Sequence, residues 1–127
     1  MKRLITVTAV CAAAVFAVPT AAYADEDPLN ANARVSGVTP RPASEGCPAG
    51  NFCLYTGPEW SGRVFRLFYC QEYALSRWNG YGSWYSNNTG GARAQILNSS
   101  RISIYDTDPG DSHPAYDFEP AWYVRAC

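Results

Sequence analysis

Beyond Gly46 the sequence is cut into short pieces by turn-forming clusters: Thr56-Gly57-Pro58, Asn79-Gly80, Asn87-Asn88-Thr89-Gly90-Gly91 and Asp108-Pro109-Gly110. Glycine, proline and asparagine at these spacings end regular elements, and no long stretch between them shows helical spacing. What lies between the turns is β-branched and aromatic: Phe52 to Tyr55, Arg63 to Tyr69, Ala92 to Leu97, Arg101 to Tyr105 and Ala121 to Ala126. The pattern predicts a small all-β domain. In Arg101-Ile102-Ser103-Ile104-Tyr105 the two isoleucines share one face, and Trp122, Val124 and Ala126 likewise oppose Tyr123 and Arg125.

The first residues obey a different logic. Lys2 and Arg3 precede an apolar run from Leu4 to Val18, followed by Pro19 and the small-residue triplet Ala22-Tyr23-Ala24. This order is that of a secretory signal peptide, residues 1–24, with cleavage expected after Ala24. The apolar run is too short to span a bilayer comfortably and no second one follows, so an exported chain free of the membrane is expected. Lys2 and Arg3 leave with the leader, so eight of the ten basic residues remain against eleven acidic ones, a net charge of −3. That balance offers no basic surface, and a nucleic-acid partner is not expected. Residues 25–45 hold no aromatic residue and no cysteine and are broken by Pro28, Pro40 and Pro42, which predicts a flexible arm. Every aromatic residue after Ala24 lies at or beyond Phe52, so the folded unit is expected over residues 46–127.

A unit of that size buries too little surface to be robust unaided. Cys11 leaves with the leader, and Cys47, Cys53, Cys70 and Cys127 remain. An even count in a small exported chain predicts two disulfides. Three connectivities are open. Cys47–Cys53 with Cys70–Cys127 is favoured, because Pro48 and Gly50 let the intervening residues turn back and the second bridge ties the last residue into the sheet. A metal or redox site is disfavoured, since there is no C-x-x-C and only one histidine.

The inventory for catalysis is poor. His113, the sole histidine, sits between Ser112 and Pro114 in an acidic stretch, and adjacency to Ser112 does not supply triad geometry. Asp106, Asp108, Asp111, Asp117 and Glu119 are explained by a solvated loop without acid/base chemistry. Asp106 to Asp111 superficially matches a calcium loop but has glycine fifth and aspartate sixth, where the calcium hand needs the reverse. No enzyme activity, no cofactor and no metal is expected. The segment Arg77 to Asn88 mixes rigid aromatics with small polar residues, a composition found in binding faces. Trp78, Tyr81, Trp84 and Tyr85 are therefore a candidate aromatic surface, although core or corner positions account for Trp78 and Trp84 more simply.

Tyr55-Thr56-Gly57-Pro58-Glu59-Trp60-Ser61-Gly62 resembles the βγ-crystallin Greek-key signature: an aromatic, four residues, an aromatic, one residue, then glycine. Tyr55, Trp60 and Gly62 take the three signature positions, Gly62 permitting positive φ in a folded hairpin. Cys47-Pro48-Ala49-Gly50-Asn51-Phe52-Cys53-Leu54-Tyr55, running into that hairpin, resembles the opening of secreted actinobacterial peptidase inhibitors related to the streptomycete metalloproteinase inhibitor. Cys70, Ser83-Trp84, Asn87-Asn88-Thr89-Gly90 and the closing Trp122 to Cys127 are similar to members of that family as well.

The resemblance implies a βγ-crystallin-like Greek-key sandwich with two disulfides, a secreted protease as partner, and a monomer that blocks its target, a zinc metalloproteinase on this resemblance, by occluding the active site. The namesake's reactive loop is closed by a late, closely spaced cysteine pair that this sequence lacks, so its inhibitory residues do not carry over. Ser99 to Ile104 lacks the family's calcium-ligand pattern, and calcium dependence is not implied. For a preorganised inhibitory loop the suited residues are Asp106 to Pro120, with Asp108, His113, Tyr116 and Phe118 as candidates; an ordinary connection to the last strand explains them more simply. The alternative function is a non-inhibitory module binding cell-wall glycan or acting as an antimicrobial factor through the Trp78 to Asn88 surface.

Overall fold

The computed structural model describes residues 25–127, so the leader expected over residues 1–24 lies outside the described residues. Ten strands follow in order: β1 (Arg34–Val35), β2 (Arg41–Pro42), β3 (Phe52–Gly57), β4 (Ser61–Leu67), β5 (Glu72–Ser76), β6 (Tyr81–Ser86), β7 (Gln95–Leu97), β8 (Ser103–Asp106), β9 (Ser112–Asp117) and β10 (Tyr123–Arg125). They form two antiparallel five-stranded sheets, ordered β1-β5-β10-β7-β8 and β2-β4-β3-β6-β9. Two successive runs of four strands, β3 to β6 and β7 to β10, each lend their third strand to the opposite sheet. β5 pairs with β1 and β10, while β9 pairs with β6. The all-β architecture with two disulfides is the one expected, and the strand order is compatible with a Greek key.

The inner faces share one core, assembled by the period-two rule. β5 buries Tyr73 and Leu75 and turns Glu72, Ala74 and Ser76 outward. Phe52, Leu54, Phe65 and Leu67 meet them from the other sheet, with Ile96 and Val124 alongside. Aromatic rings fill the middle, Trp78 lying 4.7 Å from Phe118 and Phe52 5.6 Å from Trp84 between centroids. β3 is buried on both faces, because Cys53 and Tyr55 join Val64 under Ala43, Cys47 and Tyr85 on the outer side.

The β3–β4 connection is a folded hairpin. Glu59, Trp60 and Gly62 all have positive φ, and a Cβ on Gly62 would collide with Thr56 Oγ1, so glycine is required there. The Trp60 amide donates to Ser83 Oγ at 2.8 Å, the Ser83 hydroxyl donates to the Gly57 carbonyl at 2.7 Å, and Trp60 Nε1 donates to the Trp84 carbonyl at 3.1 Å. Tyr55, Trp60 and Gly62 are thus structural: they fold the hairpin down onto β6.

Three sequence expectations are corrected. Residues 25–45 are not a flexible arm. β1 extends one sheet and β2 the other, and fully buried Asn30 is bonded on both sides of its amide. Its Nδ2 donates to the carbonyls of Thr56 (3.2 Å) and Tyr81 (3.4 Å), and its Oδ1 accepts from the amides of Asn79 (3.1 Å) and Gly80 (3.0 Å). Arg63 Nε meets Glu26 Oε1 at 2.6 Å with both side chains largely buried, so the folded unit begins near Glu26 and not at Gly46. These anchors are polar side chains and backbone pairings, which a search for aromatics and cysteines does not register. Second, the strand expected over Arg101 to Tyr105 starts only at Ser103, with a register shift at its pairing with β7, so Ile102 lies outside it and both isoleucines are exposed. Third, the strand expected from Ala121 to Ala126 spans only Tyr123–Arg125, so exposed Trp122 precedes it and does not share the buried face of Val124 and Ala126.

Candidate functional site

Asp106 to Pro120 is not a protruding loop. Six of its residues form β9, with Trp84 opposite His113 and Gly82 opposite Tyr116. Phe118 is 0% exposed, and it packs so closely on β6 that a Cβ at Gly82 would approach its ring to 2.8 Å. It is a core residue and cannot fill a partner's pocket. Tyr116 is half-buried in a ring cluster with His113 (5.3 Å), Tyr105 (5.8 Å) and Phe118 (5.0 Å). Burial pushes its hydroxyl pKa up to about 12, helped by the neighbouring Tyr105 and Asp117. His113 is half-buried, and its Nδ1 has no hydrogen-bond partner. Asp108 is exposed and forms an ion pair with Arg93 at 2.8 Å. Close in sequence, these four residues are divided by the sheet between core, rim and solvent.

The candidate aromatic surface is corrected likewise. Trp84 is 0% and Trp78 3% exposed, and Trp78 Nε1 donates to the Arg34 carbonyl at 3.0 Å, so both tryptophans build the core. Tyr85 is half-buried against the Cys53, Tyr55 and Val64 cluster, and only Tyr81 reaches far into solvent.

The most exposed aromatic side chains among the described residues lie elsewhere, at the corner between β4 and β5. Phe68 is 62% and Tyr69 69% exposed, and their rings meet edge to face at 5.4 Å. β4 ends at Leu67, so the strand expected to run through Tyr69 stops two residues early and turns the pair outward. Phe68 leans over Gly50, where a Cβ would come within 3.2 Å of its ring, so the glycine of the Cys47–Cys53 turn makes room for it. Directly after the pair, Cys70 is bridged to Cys127, and Cys47 to Cys53, the pairing favoured from the sequence.

The corner's backbone is as constrained as its ends. The Gln71 amide donates to the Tyr69 carbonyl at 2.9 Å, closing a three-residue γ-turn centred on Cys70. The Tyr73 hydroxyl, at the start of β5, accepts from the Tyr69 amide at 3.2 Å and donates to the Tyr69 carbonyl at 3.3 Å. The Ala126 amide donates to the Gln71 carbonyl at 3.2 Å, joining the corner to the C-terminal segment beside the second disulfide. Two aromatics are therefore held out on a cross-linked turn whose ordering is complete before any partner arrives. A signal existed in the sequence: adjacent aromatics cannot both face a core from one strand, and here a cysteine follows them at once.

Among the described residues no helix is long and apolar enough to cross a membrane. Neither a curated protein nor a solved structure gives a significant match to the chain. Residues 40–102 do match a family model, that of peptidase inhibitor family I36. The matched stretch runs from just before β2 to just before β8 and contains the hairpin, the Phe68–Tyr69 corner and Tyr73. A protein of such a family is a ligand of an enzyme and not an enzyme, and its partner is a protease. Over this stretch, residues 40–102, the protein is similar to peptidase inhibitor family I36.

Proposed function

We propose that this inhibitor acts by stoichiometric occlusion of a secreted protease's active-site cleft, with Phe68 and Tyr69 as the anchors that enter apolar subsites. One observation carries the reading: the two most exposed aromatics among the described residues are adjacent, on a turn pinned by a disulfide. Binding a protein normally costs the ordering of its contact side chains and loops, and a turn already fixed avoids most of that cost. Aromatic anchors in fully desolvated pockets are the usual hot spots, each worth about 2 kcal/mol or more when truncated. The leader pattern of residues 1–24 and the two disulfides support an extracellular site of action, and we take the working form to be a monomer. A zinc metalloproteinase is the target class that the family resemblance implies.

The experiment is a titration of the purified protein against thermolysin-like, subtilisin-like and trypsin-like proteases, repeated with Phe68→Ala and Tyr69→Ala. Inhibition with an equimolar endpoint, weakened at least about 30-fold by each substitution while the melting temperature holds, is the expected result. Unchanged inhibition by the variants moves the contact surface off the corner.

A further inference from the structure

We infer that the Tyr73 hydroxyl is the positioning group that makes the Phe68–Tyr69 corner an uncleavable plug, offering two aromatic side chains while withholding the peptide bonds beside them. The inference rests on the corner being the inhibitory contact. A protease cleaves a segment only when it can draw the chain into extended form and place the scissile carbonyl against its oxyanion donors or its metal. At this corner both peptide groups of Tyr69 are already engaged. Its amide N–H, the leaving group of a cut at Phe68–Tyr69, is held by Tyr73 Oη at 3.2 Å. Its carbonyl, the electrophile of a cut at Tyr69–Cys70, accepts both from that hydroxyl at 3.3 Å and from the Gln71 amide at 2.9 Å.

One buried side chain therefore clamps both bonds. Tyr73 itself is 4% exposed, set in the core on β5 opposite Val124, so the clamp is carried by the rigid sheet and not by the turn. The γ-turn bends the chain at Cys70, away from the extended path a cleft requires. The partner this fits is a peptidase with roomy apolar subsites on its cleft, engaged through side chains without a substrate-like backbone. Such a plug needs to withstand long residence, because the disulfides do not rescue a cut chain. Cys47 and Cys53 both precede Phe68, whereas Cys70 and Cys127 both follow Tyr69, so no bridge spans either bond. Hydrolysis would add water across one amide, leaving a carboxylate on Phe68 or Tyr69 and an amine on the next residue. The two pieces would be joined only by strand pairing.

The test uses chymotrypsin, whose apolar pocket accepts phenylalanine and tyrosine, on the full mature protein and on Tyr73→Phe. The fragments are read by mass spectrometry under denaturing, non-reducing conditions, where a cut at either bond releases separate pieces. The wild type should stay intact at both bonds, and Tyr73→Phe should be cut there at least about tenfold faster, in line with losing two hydrogen bonds. With a protease that the protein inhibits, the variant should bind at first about as well and then lose inhibition as it is nicked. Equal cutting of the two proteins would overturn the inference. Cutting spread over buried Phe52, Phe65 and Trp84 would reveal an unfolded variant, and a second measurement then decides. Amide exchange at Tyr69 in the wild type should be slowed well below that of Phe68, and an unprotected Tyr69 amide overturns the clamp. Retained inhibition by Phe68→Ala and Tyr69→Ala would sink the contact assignment alone, because the nicking and exchange results do not depend on it.

Discussion

Replacing Asn30 with alanine probes whether the N-terminal segment belongs to the cooperative unit. The Gly80 amide, buried and donating to Asn30 Oδ1 at 3.0 Å, loses that partner inside the protein. An unsatisfied buried donor of this kind costs about 2 kcal/mol. Thr56 keeps part of its satisfaction, because its carbonyl also accepts from the Asp27 amide at 3.2 Å, and exposed Asn79 can turn its amide to water. Those lost bonds add only about 0.5 kcal/mol each, for a total near 3 kcal/mol. For a domain of about 100 residues that lowers the melting temperature by roughly 12–18 °C. Asn32, exposed on the same segment, serves as the control, and its replacement by alanine should shift the midpoint by no more than about 3 °C. Calorimetric or dichroism melts of both variants give the comparison. Equal small shifts would show that residues 25–45 are not integral to the fold and would refute the energetic argument.

The remaining expectations concern the cross-link and the alkaline limb. Cys127→Ser opens a bridge that closes a separation of 57 residues, so the variant should lose about 4 kcal/mol of stability and expose one titratable thiol at Cys70; finding two thiols or none would refute the pairing. Tyr116 keeps its proton up to about pH 12 in the fold, whereas an unfolded chain releases it near pH 10. The raised value gives a contribution fully present below pH 10 that is lost as pH rises toward 12, so urea midpoints should be level up to about pH 9.5 and fall beyond it. Tyr116→Phe should flatten that fall, and an identical profile in the variant would contradict the burial argument.

Much of the sheet is legible in the sequence itself. β3, β4, β7 and β10 announce themselves as apolar runs between turns, and the disulfide pairing follows from the turn at Pro48 and Gly50 and from the position of Cys127. β6 does not, because Gly82, Ser83 and Ser86 dilute its pattern, and each is there for a tertiary reason: Gly82 clears Phe118, and Ser83 bonds the folded hairpin. β9 hides behind Pro114, which an edge strand tolerates because one side of it needs no ladder bonds. The corner was obscured by the same logic in reverse. Phe68 and Tyr69 continue the apolar run of β4 so smoothly that sequence alone extends the strand through them, and only the fold shows them leaving it. Nor does the sequence reveal Tyr73 as a clamp, since its hydroxyl matters through a contact four residues back that only the corner creates.

The mutual loan of third strands sets the order of events when the chain folds. β5 cannot complete its sheet until β10 arrives, since Tyr73 lies opposite Val124, three residues from the C-terminus. Likewise β6 has its outer neighbour only after β9 has crossed from the second run. Neither half can close a core by itself, and contacts this distant in sequence raise the loop-closure entropy that must be overcome before any are made, placing the protein among slow, high-contact-order folders. A chain emerging from its N-terminus would therefore stay loose until β10 had followed, and would acquire native structure in one late, concerted step.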